Sequence, residues 1–138
     1  MSGAAAGEDH ELRALAESAY EALNARDLDR FLALLADDVE FTSLIAEAEG
    51  VSFRGRDGAR TWWDTVVANF DEVHWEILEM TTGPDARGVV HFRITATMGG
   101  VPLEQTMWQA TRMCDGKVSW WGVFRTEPEA LEAAGLSE

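Results

Sequence analysis

Apolar residues recur at three- and four-residue intervals early in the chain and at two-residue intervals through its second half. Leu12, Leu15, Ala16, Ala19 and Leu23 make one stripe, the pattern of an amphipathic helix. Asp27 stands where an N-cap belongs for a second helix with Leu28, Phe31, Leu32 and Leu35 as its apolar residues. From the Asp37-Asp38 pair the period changes to two. Val39 and Phe41 alternate with Glu40 and Thr42, which predicts a half-buried strand. Leu44 to Gly50 reads as a loop and Val51 to Arg54 as a short strand. Gly55-Arg56-Asp57-Gly58 then breaks the pattern, with Asp57 the expected N-cap of a third helix. In that helix Ala59, Trp62, Trp63, Val66, Val67 and Phe70 form an apolar face wide enough to lie beneath a sheet.

Four longer strands follow. Val73 to Met80 leads through Gly83-Pro84-Asp85 into Gly88 to Met98, where Val90, Phe92, Ile94, Ala96 and Met98 alternate with polar residues. Gly99-Gly100 turns into Pro102 to Met113, and Asp115-Gly116 is a hairpin signal before Val118 to Thr126. Successive hairpins imply an antiparallel sheet, and helices grouped ahead of it imply an α+β fold. Pro128 to Leu136 reads as a closing helix ended by Gly135.

The run SAYEALNARDLDRFLALLADDVEFTS, from Ser18 to Ser43, resembles the opening of the nuclear transport factor 2-like superfamily. The likeness is to its SnoaL-like polyketide cyclase and ketosteroid isomerase branches. The closing phrase EPEALEAAGL is similar to the tail of many SnoaL-like proteins, so the resemblance spans about Leu12 to Leu136. It implies a cone-shaped α+β barrel: three helices of the N-terminal half packed in a strongly curved antiparallel sheet, with a pocket inside and a short C-terminal helix. It also implies cofactor-free acid–base chemistry on an apolar, ring-containing or polyketide-like substrate, such as isomerisation, cyclisation or dehydration. Relatives commonly pair through the outer sheet face, so a homodimer is expected, with Trp120 and Phe124 supplying apolar surface.

Composition narrows the partners. With 138 residues and 46% hydrophobic content the chain reads as a short tail over 1–8, taken as disordered, and one domain over 9–138. A net charge of -14 argues against binding a nucleic-acid backbone or an anionic membrane surface. No apolar run approaches the ~18 residues that span a bilayer. The opening MSGAAAGED lacks the basic start and apolar core of a secretory signal. Cys114 is the single cysteine, which excludes an intrachain disulfide and makes a reducing cytoplasm the natural compartment. His10, His74 and His91 are scattered without metal-ligand spacing, so no metal site is expected.

The steroid isomerase branch uses a Tyr donor from the first helix, an Asp base at the end of the first strand and a protonated Asp on a late strand. Laid on this chain without gaps, those positions fall on Ala19, on Ser43, and on Trp108 or Gln109. All three functional groups are missing, so that mechanism does not carry over. Tyr20 sits one residue from the donor position, a rotation of about 100° on a helix, and reads as edging the core with its hydroxyl at a polar boundary.

A polar pocket is still legible. If the inward strand face follows the apolar alternation, Ser43, Met107, Gln109, Thr111, Trp121, Val123 and Arg125 face the cavity, and Trp63 closes one wall. Gln109 would donate to a carbonyl and Ser43 would position it. Glu47 or Glu49, in the loop expected over the mouth, would serve as base. Arg54 would hold an anionic group at the rim, and Tyr20, Trp108 and the other Trp residues would offer ligand surface. Two further classes stay open: a non-catalytic binding module for an apolar metabolite, and a dimerisation domain with a core filled by its six Trp.

Overall fold

The computed structural model describes residues 2–43 and 51–136, with side chains described for 10–42 and 52–136. The first helix, α1 (Ser2–Asn24), places the expected stripe on the core, with Leu12 and Leu15 buried and Leu23 beside them. It is helical from Ser2, so its first turns run through the stretch that the sequence reads as a tail. The chain reverses at Arg26, which takes a positive φ of 56°. Asp27 then caps α2 (Leu28–Ala33) by accepting from the Arg30 amide at 3.1 Å.

Leu35, expected at the end of that helix, opens the strand β1 (Leu35–Ser43) instead. Short β2 (Val51–Arg54) pairs with it antiparallel, from Glu40 opposite Arg54 to Ser43 opposite Val51. The third helix, α3 (Gly55–Thr65), starts two residues before the expected cap, so Asp57 lies in its first turn and Arg54 holds the cap position without a side-chain bond to the helix end. The apolar face survives this shift. Ala59, Trp62 and Trp63 are buried from α3, and Val66, Val67 and Phe70 are buried from the short 3-10 turn that follows.

Three hairpins complete the sheet: β3 (Glu72–Gly83), β4 (Arg87–Met98), β5 (Val101–Cys114) and β6 (Lys117–Phe124). The strand order β2-β1-β6-β5-β4-β3 leaves a curved, unclosed sheet of six strands. One pairing departs from the antiparallel expectation: β1 lies parallel to β6, with Phe41 beside Trp121. Hairpins dictate antiparallel neighbours only for strands joined by tight turns, and β1 reaches β6 through the whole intervening chain. Between Leu35 and Glu40 the register of β1 slips, and there Asp37 meets Arg56 at 3.1 Å.

The concave face of the sheet holds the main core with α1, α2 and α3. The convex face carries a smaller cluster of Val89, Ala110, Ala130 and Ala134 beneath α4 (Glu127–Ala134). Trp120 and Phe124, the surface expected to mediate self-association, pack against this same cluster. Thr126 caps α4: its hydroxyl oxygen accepts from the Glu129 amide while the hydroxyl donates to the Glu129 carboxylate at 2.9 Å. Gly135 ends it at φ 77°, as expected from sequence, in the left-handed region where a side chain would be strained.

Candidate functional site

The cavity lies between α1 and the concave face of the sheet. One residue on each of several elements builds it: Phe31 from α2, Leu35 from β1, Trp62 from α3, Trp75 from β3 and Phe92 from β4. From α1 come Ala19, Tyr20 and Leu23, from β5 Gln109, and from β6 Val118, Trp121 and Val123. A register shift in the β5–β6 pairing, between Arg112 and Met113, accompanies the one irregularity that matters here. Ser119 is the extra residue opposite it, so Val118 and Trp121 share the inner face although three positions apart.

The C-terminal end of α1 is pinned to the edge strand. Asn24 donates to the Trp75 carbonyl at 2.8 Å and accepts from the Trp75 amide at 2.7 Å. It thereby takes the place of a neighbouring strand at that residue. This fixes the rotation of α1 and turns both Ala19 and Tyr20 toward the cavity.

Tyr20 and Gln109 supply the polar point of an otherwise apolar lining. The Tyr20 hydroxyl donates to Gln109 Oε1 at 2.6 Å across 89 positions of sequence. With the amide oxygen turned to Tyr20, the amide nitrogen makes no bond with the described residues and is left to donate to a ligand. The Tyr20 ring meets Phe92 edge-on, centroids 5.9 Å apart at 74°. Burial pushes the Tyr20 pKa well above its ordinary value, so the hydroxyl stays protonated and stays a donor.

A testable consequence follows, because Tyr20 is the chain's single tyrosine. Its folded pKa is raised, so its contribution to stability is whole below about pH 10 and is lost as the pH climbs above that value. Phenolate absorbance is expected to stay absent through that range and to emerge together with loss of near-ultraviolet ellipticity. Phenolate forming at the ordinary pKa, with the fold intact, would show an open hydroxyl.

Aromatic packing makes the opposite wall. Trp121 lies flat on Phe41, centroids 4.0 Å apart at 15°, and Phe41 stacks in turn on Phe53 at 5.0 Å and 13°. Trp62 meets the Trp121 ring edge-on at 6.0 Å and 75°. The space open to the centre of a water molecule is about 50 Å³, room for a few waters at roughly 10–15 Å³ each. Among the described residues, no Asp, Glu, His, Lys or Arg lines the cavity. Among the described residues no three His, Cys, Asp or Glu side chains gather as a metal site would require.

Several sequence-predicted site residues fall elsewhere. Trp63 is buried against Phe31 at 5.5 Å, and its neighbour Trp62 lines the cavity instead. Trp108 is on the convex face, stacked on His91 at 4.4 Å and 5°, because the alternation of β5 turns Gln109 inward. Arg54 pairs with Glu40 at 2.8 Å, both side chains well exposed, away from the cavity. Thr111 is buried, its hydroxyl donating to the Trp120 carbonyl at 3.3 Å. Met107 and Arg125 line a different depression, beside the half of β5 that extends past its pairing with β6. Glu47 and Glu49 lie outside the described residues, as does the Ser43 side chain. Sequence reasoning missed Trp62 and Trp75 as individual lining residues. Their only signal was apolar spacing, which they share with the rest of the core.

The comparisons agree with this architecture. None of the curated proteins matches the chain. Among solved structures, RV0760c from Mycobacterium tuberculosis in complex with estradiol-17beta-hemisuccinate is 17% identical with a TM-score of 0.72, covering 86% of this chain and 95% of that one. A computationally designed 17-OHP binder gives 17% identity and a TM-score of 0.73 over 86% of this chain and 95% of its own. TerC co-crystallised with polyporic acid gives 19% and 0.73 over 92% and 99%. At such identities the likeness is one of fold. The family model described as a SnoaL-like domain matches residues 16–121. The chain therefore belongs to the SnoaL-like domain family, and its curved sheet and helices are those of the nuclear transport factor 2-like fold.

Proposed function

We propose that the protein binds a small apolar molecule in this cavity and holds it unchanged, by ring contacts and one hydrogen bond from Gln109. The observation that carries this reading is the lining that the described residues make, aromatic and aliphatic except for Tyr20 and Gln109 and without a carboxylate. Enolisation needs a base within hydrogen-bond reach of the reacting carbon, and among the described residues no lining side chain offers one. The solved neighbours that hold or were designed for ring-bearing molecules support a binding role for the fold.

The test is equilibrium binding of ring-bearing compounds followed by mass analysis of what is recovered. Recovery of the bound compound unaltered after prolonged incubation is the expected result. Conversion to product, abolished by Glu47→Gln or Glu49→Gln, would replace this reading with catalysis by a base from outside the lining. Loss of that conversion in Ser43→Ala would add Ser43 to the same machinery.

A further inference from the structure

Size and polarity together narrow what the cavity takes. A sphere of the observed 50 Å³ has a radius of roughly 2.3 Å, and adding ~1.4 Å for the water itself places the wall about 3.7 Å from the centre. That is the half-width of one six-membered ring, and four fused rings are several times longer. The wall has little freedom to retreat. Trp121 is held flat by Phe41 and edge-on by both Trp62 and Phe31, and close-packed rings do not part without losing those contacts.

Charge is excluded by a separate argument. An ion entering this lining would lose its hydration and meet no counter-charge from the described residues. For anions the net charge of -14 adds a repulsive field. A cation would gain from that field and from the ring faces, but the Gln109 amide nitrogen presents the positive end of its dipole to the same space.

The orientation of that amide is itself determined. The buried Tyr20 hydroxyl must donate its proton, and Gln109 Oε1 is the acceptor it has. The group left for a ligand is therefore an N–H. Resting on the binding role proposed above, the geometry points to a neutral, single-ring molecule carrying one hydrogen-bond acceptor, a ring-borne ketone being the simplest.

Four probes test this on the full chain: acetophenone, ethylbenzene, phenyltrimethylammonium and progesterone. Each is titrated while the six indole N–H signals are followed by NMR, with calorimetry for affinity. Acetophenone is expected to shift the Trp62, Trp75 and Trp121 signals, to leave Trp108 and Trp120 in place, and to bind about tenfold tighter than ethylbenzene. Progesterone is expected not to bind at the concentrations that saturate acetophenone.

The paired variant Tyr20→Phe/Gln109→Met removes both polar groups, so neither is left buried without a partner. It is expected to erase the roughly tenfold preference for acetophenone over ethylbenzene. Progesterone binding as tightly as acetophenone would overturn the size limit while leaving the binding role standing. Phenyltrimethylammonium as the tightest probe would overturn the neutral class, again within a binding pocket. An unchanged ketone preference in the paired variant would overturn recognition by Gln109. If no probe shifted a lining indole, the binding role itself would fall.

Discussion

Replacing Phe41 by alanine is expected to destabilise the protein by about 3–5 kcal/mol, read as a shift of the urea midpoint at unchanged slope. Phe41 is 1% exposed and stands between two aromatic planes, Trp121 on one side and Phe53 on the other. Truncation removes the transfer free energy of a benzyl group and leaves a void that two stacked rings and the edge-on Trp62 cannot fill without tilting. The parallel contact between β1 and β6 passes through the same pair, so the loss is also one of strand registry. Phe41→Leu restores most of the volume without the planar contact and is expected to cost about 1–2 kcal/mol. A cost below 1 kcal/mol for the alanine variant would mean that the wall collapses freely, and the size limit argued for the cavity would lose its basis.

Asn24→Ala is expected to cost about 2–4 kcal/mol although Asn24 is only half-buried. Trp75 is 4% exposed on an edge strand whose sheet partner among the described residues is β4, so its outward amide and carbonyl depend on Asn24. Alanine leaves both backbone groups unpaired beside the end of a helix, where each costs about 1–3 kcal/mol unless water reaches it. Hydrogen exchange separates this from a general loss of stability. The Trp75 amide should lose more protection than the global change accounts for, whereas amides of β5 and β6 should follow the global value. Equal loss everywhere would show that water substitutes for the asparagine. Since Trp75 and Tyr20 both line the cavity, the same variant is expected to weaken ligand binding.

Much of the fold was legible because burial imposes a period. The stripe of α1, the face of α3 and the alternation of β4 each place apolar side chains on one side, and those residues are buried or, at Ala16, Ala19 and Met98, partly buried against the core. Local chemistry carried the ends: Asp27 caps α2 and Gly135 closes α4 in the left-handed region. Asp57 misled because a good N-cap residue in a Gly-rich turn does not say which residue of the turn begins the helix. Leu35 misled because a buried leucine suits the last turn of a helix and the first residue of a strand equally well.

The site was legible only in its ingredients. The late strand position could be read as Trp108 or Gln109, one register apart, and a shift of one residue exchanges the two faces of a strand. Tyr20 stood about 100° from the expected donor position. The anchoring of Asn24 on β3 decides that its hydroxyl points inward to Gln109. Trp62 and Trp63 are adjacent on one apolar face, and the packing of Phe31 and Trp121 selects which of them meets the cavity.

By itself, then, the sequence determined the order of the elements, the caps of α2 and α4, the family and the absence of the isomerase acids, since these follow from residue type and short-range spacing. Only the tertiary structure decided that β1 joins β6 in parallel, that Tyr20 meets Gln109 and that the described residues make a narrow lining without charge. Those features depend on contacts between residues as far as 89 positions apart. A periodic pattern names a buried face, and the packing of other elements against it determines what that face encloses.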